Sequence, residues 1–294
     1  MKDSKFWDAF LNDLIRKRIE KVTLSIAIIS FLFHLCLILL VQMGWLSLES
    51  ELLKSPIAAI YTPFSFILVY EVYLLVFYLP RSITTYIGKQ YEIITLILIR
   101  RLFKDMANLN LSSNWFELQG DLQFTYDLVT SLILFYLIYL FSNQSAKRLD
   151  LLNKGGKSVD ALHTFINLKK RIAAILIPIL FVTATYLFFS WLLPAIGFLE
   201  PQGYSFKNIN SVFFDEFFTI LIIVDVILLL ASFYYSDQFH KVIRNSGFVL
   251  STILIRISFS VDGLINNVLI LIAVIFGLLM LYIHNLFEKK VYDQ

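Results

Sequence analysis

Residues 64–105, FSFILVYEVYLLVFYLPRSITTYIGKQYEIITLILIRRLFKD, are the most informative stretch of this sequence. A carboxylate, Glu71, lies inside one long apolar run, and a guanidinium, Arg100, lies inside the next. A later stretch repeats the arrangement, with Asp225 and Arg256 at the corresponding positions. Charge inside a lipid bilayer is costly and usually marks a site with a purpose. Two matched acid–arginine sets are therefore the feature that any account of this chain must explain.

The composition is that of a membrane protein. The chain is 58% hydrophobic and 16% charged, and its mean hydropathy of +0.74 is too apolar for a soluble domain. The apolar residues come in long runs, which predicts a polytopic α-helical membrane protein. With Cys36 as the single cysteine, an intramolecular disulfide and a metal site built on several thiolates are excluded. We find no cofactor-binding, metal-binding or nucleic-acid-binding motif, so we predict none of these ligands.

Eight apolar segments are predicted as transmembrane helices: residues 22–45, 57–79, 91–107, 124–141, 172–193, 214–235, 247–260 and 264–284. An amphipathic helix at residues 5–21, which ends in a basic cluster, is expected to lie at the interface before the first span. The apolar run within the third segment is short. It spans only if the basic side chains that follow its apolar run pair with acids or snorkel.

The two halves of the sequence carry the same polar landmarks in the same order. The tetrapeptide ILIR, for example, occurs at residues 97–100 and again at 253–256. Such self-similarity predicts an N-terminal four-span repeat at residues 1–145, a linker at 146–158 and a C-terminal four-span repeat at 159–294. Because each repeat has an even number of spans, the two repeats should be parallel, related by an axis along the membrane normal.

The distribution of lysine and arginine predicts the orientation. If the N-terminus is inside, nineteen of the twenty-five basic residues fall in inner segments. The positive-inside rule therefore predicts that both termini are cytoplasmic. The same basic face suits anionic lipid headgroups as its partner.

The charged pairs have two interpretations. In one, each pair is a structural clamp between neighbouring helices. In the other, Glu71 and Asp225 line a polar path for a proton or cation, and Arg100, Arg101 and Arg256 set its electrostatics. Arginine does not give up its proton, so a tightly paired acid would be a poor proton carrier. This favours the clamp interpretation for both pairs.

Further charged residues occur near the first pair only. Glu92, Lys104 and Asp105 have no charged counterpart in the second half, so any chemistry is expected to concentrate in the first. His34 inside the first span is a further accessory candidate. For His34 and His284 the functional interpretations are a haem ligand or a pH-sensing group, and the commoner role of a lone histidine in an apolar span is that of a packing residue. His284 is expected at the inner interface, and neither histidine has metal-ligand spacing.

The first half resembles the phosphate-starvation-inducible E family of small bacterial membrane proteins. The similarity is carried by Glu71, Glu92, Arg100 or Arg101, and Asp105, over about forty residues of one repeat. The second half keeps only one acid and one arginine of this set, and the doubling of the unit is a departure from the family. The resemblance implies four-span units in a bacterial inner membrane with a link to stress or nutrient supply.

Two hypotheses for function follow. The first is a channel or permease for a small ion, either a proton or a cation. The second is a non-transporting membrane subunit or scaffold, whose partner is a second copy of the chain or another membrane protein. An enzyme is not expected, because the sequence shows no nucleophile–base pair and no metal-ligand set.

Overall fold

The computed structural model of the chain describes residues 12–45, 53, 56–106, 119–152, 159–195, 206–235 and 239–292. Residues 5–11 of the amphipathic segment predicted at residues 5–21 lie outside these ranges, as do residues 153–158 of the predicted linker. Within them the chain is helical apart from short turns at the helix ends, with no strand. The prediction of an all-α fold is therefore confirmed for the described residues.

Helices in the described ranges are numbered here in chain order. They are α1 (Asp13–Gln42), α2 (Tyr61–Tyr78), α3 (Ile83–Met106), α4 (Gln119–Leu152), α5 (Val159–Ala195), α6 (Phe206–Tyr235), α7 (Phe239–Ser258) and α8 (Gly263–Tyr292). A short 3₁₀ helix, Pro56–Ile60, leads into α2.

Three of these helices contain a stretch long and apolar enough to cross a membrane: Asp13–Gln42, Asp121–Ala146 and Gly263–Lys290. Large apolar side chains are exposed on all three, including Ile29, Phe135 and Ile265. An apolar surface of this extent suits lipid better than water. The structure therefore supports membrane association, whereas the arrangement of eight spans in two repeats stays a prediction.

The first helix is continuous across the boundary that we expected between an interfacial helix and the first span. It begins after Asn12, whose Oδ1 accepts a hydrogen bond from the backbone N–H of Leu14 at 2.9 Å. It ends before Gly44, which has a φ of 75°. No glycine or proline lies near Lys21, so nothing in the sequence interrupts the helix there.

The start of α3 also differs from the prediction. Residues 83–90, expected as an inner connecting segment, are helical. Ser82 precedes the helix, and its Oγ accepts a hydrogen bond from the backbone N–H of Thr85 at 3.2 Å, which is the bonding pattern of a helix N-cap. The extra turns matter because they carry Gln90 into the interior.

The chain divides into two compact units, and each unit draws on both halves of the sequence. The first comprises Met1–Phe77, Arg100–Phe124 and Ala174–Phe213; the second comprises Tyr78–Ile99, Thr125–Ala173 and Phe214–Gln294. Fully buried apolar side chains such as Ile38 and Leu75 form the core of the first unit, and Tyr91, Phe248 and Leu281 belong to that of the second. The sequence division at residues 145 and 158 stays a prediction.

Two glycines let the helices of the second unit approach closely. Gly277 in α8 lies directly against the hydroxyl of Tyr91 in α3. Gly247 in α7 lies against Met280, so that an added Cβ would come within 2.5 Å of the Met280 Cγ atom. Phe141 of α4 packs edge-on against the Tyr91 ring, with 5.1 Å between ring centroids. These contacts hold α3, α4, α7 and α8 around one core.

Candidate functional site

The predicted contact between Glu71 and Arg100 is present in the first unit. Arg100 Nη2 lies 2.5 Å from Glu71 Oε2, and the two side chains are only 6% and 2% exposed. Arg100 Nη1 also donates to the backbone carbonyl of Phe64 at 3.4 Å. Two helices, α2 and α3, are therefore joined by a buried ion pair. Removing one partner of such a pair is costly, because the other charge is then left buried without compensation.

The surroundings of this pair are apolar. Phe64 and Phe103 stack at a tilt beside it, with 5.6 Å between ring centroids. The second carboxylate oxygen, Glu71 Oε1, is buried and accepts no hydrogen bond from the described residues. The guanidinium is thus the principal polar contact of this acid, which is the geometry of a helix clamp.

The second acid, Asp225, has a different environment. It lies on α6 in the second unit and is 5% exposed. The Nε2 amide of Gln90 donates to Asp225 Oδ2 at 3.3 Å, and Gln90 Oε1 accepts from the Thr252 hydroxyl at 2.9 Å. Tyr86 and Lys169 are further polar neighbours of the carboxylate. Among the described residues, the groups that hydrogen-bond to Asp225 are therefore neutral.

The predicted pairing of Asp225 with Arg256 is wrong. Arg256 instead donates through Nε to the Thr219 hydroxyl and through Nη1 to the Ser260 hydroxyl, each at 3.0 Å. Thr219 precedes Asp225 by six residues on α6, which corresponds to about 9 Å along the helix axis. Since α7 ends at Ser258, the Arg256 side chain lies near a helix terminus, where it remains partly exposed and reaches hydroxyl groups.

Hydrogen-bonded polar side chains continue through the interior of the second unit. The hydroxyls of Tyr91 and Ser251 lie 2.8 Å apart, and Ser251 donates to the backbone carbonyl of Ala273 at 2.6 Å. Asn267 donates to the fully buried Asp127 at 2.7 Å. Hydroxyl and amide groups in such a network can change partners without separating charge, which an arginine–carboxylate pair cannot do.

The accessory residues predicted from the sequence lie elsewhere. Glu92 is 46% exposed and pairs with Lys89 at 2.5 Å on the surface of α3. Arg101 and Asp105 are partly buried near the end of α3, and the side chain of Lys104 lies outside the described residues. His34 has its Nδ1 2.5 Å from the Thr62 hydroxyl, which is the contact of a packing histidine.

Sequence reasoning missed one polar cluster at the ends of α7 and α8. Arg244 and His284, expected at the inner interface, are 4% and 2% exposed. Arg244 Nη1 lies 2.8 Å from His284 Nε2, and the same nitrogen lies 3.1 Å from Glu288 Oε1. The spacing of His284 and Glu288, one helical turn apart, is a signal that could have been read from the sequence.

Comparison with protein-family models, with curated proteins and with solved structures gives no match for this chain. The functional interpretation therefore rests on three features of this chain. They are helices of membrane length, a buried acid–arginine pair and a buried acid whose hydrogen-bond donors among the described residues are neutral.

Proposed function

We propose that this chain is a multi-pass bacterial inner-membrane protein that moves a proton or another small cation, with both termini in the cytoplasm. Eight spans in two tandem parallel four-helix repeats form its framework. Support comes from the three apolar helices of membrane length and from the concentration of basic residues in alternate connecting segments.

The observation that carries this proposal is the contrast between the two buried acids at matched sequence positions, Glu71 and Asp225. Glu71 is bound by a guanidinium, whereas Asp225 is bound by the neutral amide of Gln90. An arginine does not give up its proton and here occupies the carboxylate directly, so Glu71 serves as the clamp. A buried carboxylate with neutral donors is able to take up and release a cation or a proton, so Asp225 is the exchanging group.

Neighbouring side chains supply a polar route to this acid. Gln90 is fixed on one side by Thr252 and on the other by Asp225, and it is fully buried. A cation or proton that reaches Asp225 would replace the single amide contact and leave the Thr252–Gln90 bond intact. Ionisable groups placed inside a membrane in this way are typical of proton and ion pathways.

The test is flux through liposomes that contain the purified protein, followed with an internal pH-sensitive dye under imposed proton and potassium gradients. We expect wild-type flux above that of empty liposomes, and its loss in Asp225→Asn. Asp262→Asn is the matched control, because it makes the same chemical change at an exposed aspartate in the turn between α7 and α8. It should conduct as the wild type does.

The alternative function is a non-transporting subunit or scaffold, and the Glu71–Arg100 clamp is the observation that favours it. In that case the basic face would bind anionic lipid, and the partner would be a second copy or another membrane protein. Wild-type flux equal to that of empty liposomes, with correctly folded and inserted protein, would refute transport and leave this alternative. Equal flux in Asp225→Asn and wild type would remove Asp225 from the pathway.

A further inference from the structure

We propose that His240, His284 and Glu288 form a binding site for a divalent transition-metal ion such as Zn²⁺. His240 is in the first turn of α7, and the other two residues are in the last turns of α8. One ligand atom from each of the three side chains can be chosen so that all lie within 4.8 Å of one another. This site is separate from the acids on which the proposed transport depends.

The helix geometry suits a metal ion. His284 and Glu288 are four residues apart and therefore lie on the same face of α8. Their atoms Nε2 and Oε1 are 3.1 Å apart. Two ligand atoms about 2.1 Å from a tetrahedral zinc ion are separated by about 3.4 Å. Only a small adjustment of the two side chains would bring them to that spacing.

His240 completes the set from the other helix. Its imidazole ring is stacked on that of His284, with 5.1 Å between ring centroids and 26° between ring planes, so the His240 ring would have to rotate to direct a nitrogen at the same ion. Two imidazoles and one carboxylate are ligands that suit zinc and similar metals, and they do not suit magnesium or calcium, which require oxygen. Three protein ligands also leave the fourth tetrahedral position for water.

The contacts of His284 Nε2 are the strongest reason to expect an ion. This nitrogen lies 2.8 Å from the Arg244 donor Nη1 and 3.1 Å from the Glu288 carboxylate oxygen. A ring nitrogen carries either a proton or a lone pair. A proton there would bond to Glu288 but oppose Arg244, and a lone pair would bond to Arg244 but oppose Glu288. A metal ion bound to both Nε2 and Oε1 would remove the opposition between the lone pair and the Glu288 carboxylate, although Arg244 Nη1 would then no longer have Nε2 as its acceptor.

Burial makes the conflict costly. His284 and Glu288 are 2% and 4% exposed, so water cannot easily compensate for a mismatched contact. Arg244 does not depend on the histidine for its position. Its Nε and Nη2 both donate to Asn245 Oδ1, at 3.2 Å and 2.8 Å. The guanidinium would therefore remain close to the metal ion and weaken its binding by like-charge repulsion.

Arg244 thus distinguishes a metal site from a plain hydrogen-bonded cluster. If the residues bind a metal ion, Arg244→Gln should increase the affinity, because it removes a nearby positive charge. If they form only a hydrogen-bonded cluster, the same change should lower thermal stability without creating metal affinity.

The experiment is a titration of the full-length chain, purified in detergent with any affinity tag removed, with Zn²⁺ in competition with a chromogenic chelator. We expect one equivalent to bind, and Co²⁺ to show a ligand-field spectrum that includes nitrogen ligands. His240→Ala, at a partly exposed position, should weaken binding at least ~10-fold, the lower end of the loss seen when only an outer-shell partner is removed.

His34→Gln is the matched control, because His34 bonds to Thr62 and lies in the first unit. It should bind zinc as the wild type does. The proposal is overturned if the wild type binds no zinc, or if folded His240→Ala and His284→Gln bind it as tightly as the wild type.

Discussion

Removing one partner of the Glu71–Arg100 pair tests the clamp directly. Glu71→Gln keeps the shape of the side chain but leaves the Arg100 guanidinium, 6% exposed, without its carboxylate. Arg100 Nη1 would still donate to the Phe64 carbonyl, but over a long bond of 3.4 Å. Breaking a buried pair from one side costs about 3–5 kcal/mol, so we expect the free energy of unfolding to fall by that amount.

The chain contains a well-matched control for this experiment. Lys89 and Glu92 on α3 form an ion pair with the same 2.5 Å separation, but their side chains are 30% and 46% exposed. An exposed pair between residues three apart on a helix contributes only about 0.5 kcal/mol, so Glu92→Gln should change stability little. Any difference between the two variants therefore reports burial and not distance.

The assay is unfolding of the purified protein in mixed micelles with increasing sodium dodecyl sulfate, followed by tryptophan fluorescence. The double variant Glu71→Leu/Arg100→Met completes the set. Replacing both charges by apolar groups is expected to be neutral or stabilising, by up to about 4 kcal/mol. If Glu71→Gln costs no more than Glu92→Gln, the pair is solvated, and the interpretation of these residues as a clamp is refuted.

Two further predictions concern the second unit. Gly277→Ala should lower the unfolding free energy by about 1–3 kcal/mol, because the new methyl group would meet the Tyr91 hydroxyl; the additional change Tyr91→Phe should restore part of the loss, and no loss at all in the same micelle assay would contradict the close contact. Burial lowers the pKa of Lys169 from 10.5 to about 8, so the unfolded chain holds this proton to higher pH than the folded protein does. Stability should therefore rise between pH 8 and 10.5, and Lys169→Met, measured over the same pH range, should flatten that rise.

The runs of apolar residues in the sequence predicted much of the helical architecture. The apolar runs around Glu71 and Arg100 predicted helices, and the helices are present. The interpretation of each acid–arginine pair as a clamp between neighbouring helices also predicted that Glu71 and Arg100 would meet, which the structure bears out. Both inferences rest on helical rise and on the cost of burying charge, quantities that a sequence displays directly.

The environment of Asp225 could not be predicted in the same way. Its amide donor, Gln90, is 135 residues away in the sequence and lies on helical turns that were expected to be a connecting segment. The helix that contributes a buried neighbour is decided by how the helices rotate and pack against one another. The spacing of apolar residues in the sequence does not specify this. The hydroxyl cap at Ser82 was the local signal that would have extended α3 far enough to include Gln90.

The two acids show why matched sequence positions need not be matched sites. Arg100 is followed by six further residues of α3, so it lies more than one turn before the end of the helix, where its side chain reaches Glu71. Arg256 is followed by only two residues of α7, so its side chain reaches hydroxyls near the helix end and leaves Asp225 to a neutral amide. A carboxylate whose hydrogen-bond donors among the described residues are neutral is less stabilised when ionised in an apolar interior than one bound directly by a guanidinium. For that reason Asp225, and not its better-paired counterpart Glu71, is the position at which an incoming proton or cation would gain most by binding.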